Sequence, residues 1–101
     1  AELEREGAAA FLLGHAGDGN IHVIFPCADD AAYQTCQRIN AAIVEQALAL
    51  GGTATGEHGV GVGKARFMRR EHGPALDVML ALKQTLDPLG ILNPGKIFGQ
   101  P

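Results

Sequence analysis

The fold of this chain is decided by residues 11–26, which read FLLGHAGDGNIHVIFP. The apolar flanks of this stretch predict two strands, at residues 8–13 and 21–25, because short apolar runs bounded by glycine or proline are typical of strands. The intervening residues 15–20 contain two glycines, an aspartate and an asparagine, which favour tight turns. The two strands should therefore be neighbours, arranged like a hairpin.

The longest helix predicted from the sequence follows the second strand. Apolar side chains recur there at intervals of three and four residues, at Tyr33, Cys36, Ile39, Ile43, Val44, Ala47 and Leu48. Asp29 or Asp30 can cap the first turn, since their side-chain oxygens satisfy free N–H groups. The helix should close at Gly51-Gly52.

Two shorter helices are expected in the second half of the chain. Residues 53–55 predict a brief extended segment, and residues 56–63 contain too much glycine for regular structure, which makes them a candidate functional loop. A helix should cover residues 64–71. Another should begin at Pro74, stop before Pro88 and bury four apolar side chains, at Leu76, Met79, Leu80 and Leu86.

Size and charge limit the classes of function that are open. The 101 residues are 47% hydrophobic and carry a net charge of −3, which fits one compact domain or part of one. The basic cluster of Arg66, Arg69 and Arg70 lies beside Glu71, so nucleic acid is not expected as a partner. No apolar run in the sequence approaches the roughly 20 residues needed to cross a bilayer.

The cysteines indicate a reducing compartment. Cys27 and Cys36 have no CxxC spacing and are too few to frame a disulfide-stapled domain. We expect both to be reduced and to behave as small buried hydrophobes rather than as a redox pair. The expected location is cytoplasmic, with contact to a membrane only through an electron acceptor.

Four side chains with metal-binding chemistry lie at the two glycine-rich turns. His15 and His22 flank the first turn, and Glu57 and His58 open the second. Two imidazoles and a carboxylate are a common catalytic metal set, because they suit borderline divalent ions and leave positions open for substrate. The candidate metals are zinc, manganese and iron. Neighbouring side chains on an extended segment point to opposite faces, so only one of Glu57 and His58 should bind the ion.

A structural role is the alternative for the same side chains. Histidines beside glycine turns often donate hydrogen bonds to nearby carbonyls, and Glu57 could be a solvated loop residue. Sequence spacing alone does not require the two turns to meet.

Basic residues follow the second glycine-rich turn. Residues 59–64 read GVGVGK, which is GxGxG rather than GxGxxG, and Ala65 stands where a Walker loop needs serine or threonine. Nucleotide binding is therefore rejected. Lys64 and Arg66 could hold a substrate carboxylate or a flavin phosphate, or could lie on a solvated helix face. The arginine pair at residues 69–70 is assigned to such a face.

Three motifs occur in an order that resembles a known family. They are GHAGDGNIH at residues 14–22, GGT leading to GEHGVG within residues 51–61, and LNPGKI at residues 92–97. With helices between them, they closely resemble the C-terminal region of FAD-linked oxidases related to the glycolate oxidase flavoprotein subunit, D-lactate dehydrogenase and D-2-hydroxyglutarate dehydrogenase. The resemblance covers almost the whole chain.

The resemblance implies metal-binding and catalytic roles. In the metal-dependent members of this family, the histidines that match His15 and His22 and the glutamate that matches Glu57 bind a divalent cation, usually zinc or manganese. The histidine that matches His58 faces the substrate. This division of roles agrees with the argument that neighbours on an extended segment diverge.

Further residues gain supporting roles from the same resemblance. Asn93, in the NPGK turn, lies where the family's chain returns to its flavin domain, so contact with FAD is implied for Asn93 and less directly for Lys96. Asp18 and Asn20 are expected to shape the first turn and to orient His15.

The resemblance also implies the architecture. The fold should be α+β, a partial ferredoxin-like cap with antiparallel strands and packed helices, which forms the C-terminal fragment of a larger flavoprotein. Residues 1–88 would belong to the substrate or cap domain, and residues 89–101 to a tail that returns to an FAD-binding domain. A chain without that domain should bind FAD poorly and be inactive alone. Its exposed apolar surface is expected to favour self-association.

A reaction follows from this set of residues. A 2-hydroxy acid would chelate the metal through its carboxylate and hydroxyl oxygens, and His58 would accept the hydroxyl proton. Hydride would pass from C2 to FAD and leave a 2-oxo acid. Ile24 is apolar where a polar residue could reach a second substrate carboxylate, which favours a monocarboxylate such as lactate or glycolate. The sequence does not identify the electron acceptor.

Two other classes of function stay open. A metal-dependent hydrolase would use a zinc-bound water held by the same three ligands and activated by His58, and would need no flavin. A non-catalytic module would use its histidines for hydrogen bonds, or would bind metal for storage or interaction without turnover. Metal content and flavin dependence distinguish these classes.

Overall fold

The computed structural model describes residues 7–99. Packing divides the chain into two compact units, Ala1–Ala47 and Leu48–Pro101. In the described range, α-helices accompany a two-stranded antiparallel sheet, which confirms the expected α+β class. Residues 1–6 of the predicted cap segment and residues 100–101 of the predicted tail lie outside the described residues.

The first unit contains the predicted hairpin. Strand β1 spans Phe11–His15 and strand β2 spans Asn20–Ile24, and the two pair antiparallel in an unbroken register. A 3-10 turn at Ala16–Asp18 connects them and is closed by Gly19, whose φ is 68°. Both strands reach further into the glycine motif than predicted, because a left-handed glycine lets the chain reverse within a few residues.

Helix α1 spans Asp30–Ala49 and confirms the longest predicted helix. The Asp29 carboxylate accepts a hydrogen bond from the Ala32 N–H at 2.8 Å, so Asp29 caps the first turn. At the other end Gly51 adopts a φ of 80°, and its N–H donates to the Leu48 carbonyl at 3.1 Å. The buried side chains of α1 are Cys36, Ile39 and Val44.

None of the described helices combines the length and the apolar character needed to span a membrane.

Two shorter helices lie in the second unit. Residues 53–55 form a bend instead of the predicted extended segment. A 3-10 turn at Ala65–Phe67 continues into helix α2, Met68–His72. The helix predicted at residues 64–71 is therefore confirmed, as a 3-10 turn followed by an α-helix. Helix α3 spans Ala75–Leu86 and begins directly after Pro74.

The burial predicted for α3 is wrong. No residue of this helix is buried: Leu76 and Met79 are only half-buried, Leu80 is 37% exposed and Leu86 is 78% exposed. An apolar period defines one face of a helix but does not supply the element that covers it. The apolar surface expected for self-association is therefore present, and self-association itself stays a prediction.

Asp87 ends α3 and carries a buried carboxylate. The Lys83 ammonium donates to it, and the N–H groups of Ile91 and Leu92 donate to it at 3.0 Å each. Lys83 also donates to the Leu92 carbonyl at 2.7 Å. The hydrogen bond from Lys83 is the main cause that holds the pKa of Asp87 below its ordinary value, against the opposing effect of burial. This network fixes the chain where it leaves the helix.

We expect Asp87→Asn to lower the free energy of unfolding at neutral pH more than Asp77→Asn does. The Asp87 carboxylate is buried, whereas the ion pair of Asp77 with Arg69 is exposed and contributes little. Because the folded-state pKa of Asp87 is depressed, its contribution is complete above the unfolded value of about 3.9 and is lost as pH falls through the folded-state pKa. Urea unfolding of both variants across pH measures this, and equal losses at neutral pH would contradict it.

Candidate functional site

The hairpin places the two predicted histidine ligands on one face of the sheet. Leu13 lies opposite His22, and Asn20 lies opposite His15. Side chains alternate along a strand and directly opposed residues share a face, so His15 and His22 are diagonal neighbours. Diagonal positions are typically about 7–8 Å apart. His15 is exposed and His22 is half-buried.

Gly14 sits where the two strands leave no room for a side chain. A Cβ on Gly14 would lie 2.9 Å from the Cα of Ile21 and would also collide with the carbonyl oxygen of Asn20. Both obstacles are backbone atoms, which cannot rotate away. The register that brings His15 opposite Asn20 therefore requires glycine at position 14.

The two residues expected to orient His15 occupy different places. Asn20 lies directly opposite His15 on the same face, at a separation of about 5 Å that is typical of opposed Cβ atoms. Asp18 lies exposed in the 3-10 turn. The position of Asn20 suits an orienting role, and both assignments stay predictions.

Glu57 and His58 lie in a turn of the second unit rather than on an extended segment. A Glu57 carboxylate oxygen is 3.5 Å from Nε2 of His58, and the two side chains are 53% and 76% exposed. The two side chains therefore do not point to opposite faces, and the prediction that they diverge is wrong because the segment is a turn and not a strand. Their separate roles as ligand and base now rest on the resemblance alone.

Glu71 of α2 fixes the segment that enters this turn. It accepts a hydrogen bond from the Thr53 hydroxyl and another from the Ala54 N–H at 3.0 Å. Burial acts to raise the pKa of Glu71, but these two hydrogen bonds, together with the charge of His72, outweigh it and hold the pKa below its ordinary value. This role was not predictable from the sequence, because no motif or period links Glu71 to Thr53 and Ala54, which lie 18 and 17 positions away.

The tail forms the predicted turn and returns to the glycine-rich loop. The Lys96 N–H donates to the Asn93 carbonyl at 3.3 Å, with Gly95 at a φ of 72°. The Ile97 N–H then donates to the Gly61 carbonyl at 2.7 Å. The two candidate flavin contacts, Asn93 and Lys96, thus stand at the two ends of one turn that is attached to the loop after His58.

The basic residues that follow the second glycine-rich turn lie in different environments. Burial, followed by repulsion from Arg66, lowers the pKa of the half-buried Lys64. The Arg66 guanidinium lies over the Phe67 ring, 4.7 Å from its centroid. Arg69 is exposed as predicted, yet it also joins α2 to α3 through two hydrogen bonds to Asp77, at 3.0 and 2.6 Å.

The cysteines form a pair within the first unit. Cys36 is buried in α1 as predicted, but Cys27 is exposed, so the predicted burial of Cys27 is wrong. Cys27 follows Pro26 after the end of β2, where the chain has left regular structure. The two sulfur atoms are 3.0 Å apart.

Comparison with known proteins agrees with the three motifs. The sequence profile of the family "FAD linked oxidases, C-terminal domain" matches residues 1–97. The chain is 41% identical over 100 residues to D-lactate dehydrogenase (cytochrome), mitochondrial, of Arabidopsis thaliana, covering 96% of this chain and 18% of that protein. It is 43% identical over 88 residues to D-lactate dehydrogenase (cytochrome) 1, mitochondrial, of Saccharomyces cerevisiae. This match covers 86% of this chain and 15% of that protein.

A bacterial relative has a similar identity. The chain is 45% identical over 93 residues to glycolate oxidase subunit GlcD of Bacillus subtilis, covering 87% of this chain and 19% of that protein. The chain thus spans less than a fifth of the length of these relatives. The names of the plant and yeast relatives place those proteins in mitochondria, so the predicted cytoplasmic location is wrong on this comparison.

We expect Gly14→Ala to lower the free energy of unfolding by more than about 1 kcal/mol, because the new methyl group meets fixed backbone atoms. Gly17→Ala is the matched control, since a Cβ there meets no atom within 4 Å, and its effect should stay within about 0.5 kcal/mol. Chemical denaturation gives the stabilities, and amide hydrogen exchange in β1 and β2 locates the loss. Equal behaviour of the two variants would show that the close approach at Gly14 is unimportant.

Proposed function

We propose that this chain, which belongs to the family of FAD linked oxidases, C-terminal domain, supplies the C-terminal portion of an FAD-dependent oxidoreductase that oxidises a 2-hydroxy acid to a 2-oxo acid. The observation that carries the proposal is the family match over residues 1–97, which includes both histidine turns and the tail turn. Relatives named for D-lactate and for glycolate support a small 2-hydroxy acid as substrate.

We assign His15, His22 and Glu57 as ligands of a divalent metal ion, zinc or manganese, with iron as a third candidate. The hairpin presents two imidazole donors on one face, and the exposed turn carboxylate of Glu57 supplies oxygen. This donor set fits a borderline divalent ion and leaves positions open. When bound, such an ion acts as a Lewis acid toward the hydroxyl group of the substrate.

His58 is assigned as the base that accepts the proton of the substrate hydroxyl. Its imidazole is 76% exposed and so is accessible to a small molecule. The Glu57 oxygen lies 3.5 Å from Nε2, so the imidazolium formed on proton transfer would have a carboxylate beside it. An acceptor of this kind typically contributes about 10²–10⁴-fold to the rate of a proton transfer.

The tail turn is assigned to the flavin. FAD, when bound, accepts the hydride from C2 of the substrate. The Asn93 amide can both donate and accept hydrogen bonds, and the Lys96 ammonium would suit a phosphate oxygen. Their turn is attached to the glycine-rich loop through the hydrogen bond from Ile97 to Gly61. The remainder of the FAD site is assigned to other parts of a larger protein, and the electron acceptor is unassigned.

The hairpin face also bears on which 2-hydroxy acid is used. Ile24 lies two residues beyond His22 on the same strand and opposite Phe11, so both apolar side chains share the face of His22. They are 51% and 64% exposed. An apolar edge beside the proposed ligands favours a monocarboxylate of the lactate or glycolate type over a dicarboxylate.

Metal analysis tests the proposed ligands. Equilibrium dialysis of the chain against zinc or manganese should give about one bound ion, and His15→Ala, His22→Ala and Glu57→Ala should each weaken binding by more than about 100-fold. Loss of a residue that only supports a ligand already weakens binding by about 10–100-fold. His72→Ala is the control, since His72 is the one histidine of the sequence without an assigned role in the proposed site. Unchanged binding in the three folded variants would remove this ligand set.

Flavin reduction tests the proposed reaction. This chain would replace the matching segment of the Bacillus subtilis relative, and the hybrid would be mixed with lactate or glycolate without oxygen. We expect the flavin absorbance to bleach, and His58→Ala to slow bleaching by at least about 100-fold while His72→Ala does not. An equal rate in His58→Ala would remove His58 as the base. Hydrolytic turnover without FAD would support the hydrolase instead.

A further inference from the structure

The end of the hairpin and the start of α1 bring two thiols together. Cys27 lies in the connection after β2, and Cys36 lies in the second turn of α1. Their Sγ atoms are 3.0 Å apart, and the Cys27 thiol also approaches the Phe25 carbonyl oxygen at 3.6 Å. Both residues belong to the first unit, and neither is part of the proposed metal or flavin site.

We propose that Cys27 and Cys36 form a thiol–disulfide exchange site, which reacts with a small neutral disulfide and closes to an intramolecular Cys27–Cys36 bond. This site is independent of the proposed oxidoreductase function. It is a covalent modification site that joins the connection after β2 to helix α1.

Formation of the Cys27–Cys36 bond requires little movement of the two sulfur atoms. A disulfide bond is about 2.05 Å long, so the two sulfur atoms must approach by about 1 Å. Cys36 is held by its helix, whereas Cys27 lies in an irregular connection between Pro26 and Asp29. The irregular connection can absorb this shift through its backbone angles, because it has no strand or helix hydrogen bonds to break.

The exposure of the two thiols sets the order of the steps. Cys27 is exposed and can attack a dissolved disulfide, whereas Cys36 is only 8% exposed. Cys36 does line a cavity of about 450 Å³ together with Pro26, Asp29 and Thr35. The Asp29 carboxylate disfavours an anionic reagent at this place, which is why a neutral disulfide is proposed.

The proposed exchange takes place in two steps, in which atoms and electrons balance. The Cys27 thiolate attacks one sulfur of the small disulfide, whose S–S bond breaks and releases one small thiolate. The Cys36 thiolate then attacks the Cys27 sulfur of the mixed disulfide, which forms the Cys27–Cys36 bond and releases the second small thiolate. The protein thiols are oxidised by two electrons, the small disulfide is reduced by two, and the two thiol protons go to the released thiolates.

The thiol environment affects the rate of the first step. The hydrogen bond to Cys36 is the main cause that raises the pKa of Cys27, and burial and the charge of Asp29 act in the same direction. Less thiolate is therefore present at neutral pH than at an ordinary cysteine, and exchange should be slow. The test accordingly needs a long incubation.

Hydroxyethyl disulfide, a neutral reagent, tests the site on the reduced chain. Intact-mass measurement should show a product about 2 Da lighter, with both thiols unreactive toward maleimide and one peptide pair joined through Cys27 and Cys36. A stable adduct on Cys27 with Cys36 still free would overturn the proposal. So would a covalent dimer through Cys27.

Two single variants separate the roles of the thiols. In Cys36→Ala the exposed Cys27 should accumulate the mixed disulfide, because no second thiol resolves it. In Cys27→Ser the buried Cys36 should react at least about tenfold more slowly, as thiol reactivity follows access. Equal adduct formation in both variants would contradict the proposed order. The parent chain tests ring closure by itself, so a variant that unfolds does not remove the test.

Discussion

The first unit depends on one close approach of two backbones. At Gly14 the carbonyl of Asn20 and the Cα of Ile21 occupy the space that any side chain would need. The register pairs Gly14 with Ile21, and a slip by one residue would move His22 to the opposite face of the sheet. The absence of a side chain at Gly14 thus permits the register that places His15 and His22 on the same face.

Carboxylates perform the corresponding task in the second unit. The turn of Glu57 and His58 and the turn at residues 93–96 contain little regular structure, so helix or strand hydrogen bonds do not hold them. Glu71 instead accepts hydrogen bonds from the segment before the first turn, and Asp87 accepts them from the segment before the second. Acceptors of this kind satisfy backbone N–H groups that would otherwise lack a partner. One acidic side chain, in a neighbouring helix or directly after it, thus helps to fix each turn.

Local patterns were sufficient to predict the hairpin, helix α1 and the tail turn, because glycine positions, caps and apolar periods act over a few residues. Contacts between distant residues were not predictable in this way. The hydrogen bonds of Glu71 and the approach of Cys27 to Cys36 join residues that no periodic pattern connects. The burial of α3 was overestimated for a related reason, since an apolar face does not specify its cover. At Glu57 and His58 the wrong backbone assumption, strand instead of turn, led to the wrong side-chain directions.

The composition of the hairpin face bears on the substrate of the proposed function. Phe11, Leu13 and Ile24 share that face with the two histidines, and all three are more than half exposed. On the proposed function, a 2-hydroxy acid bound there would place its remaining substituent against apolar side chains. A second carboxylate in that position would find no hydrogen-bonding or charged partner among these three side chains. The methyl group of lactate or the hydrogen of glycolate needs no such partner. The apolar side chains of this face therefore support the smaller substrates.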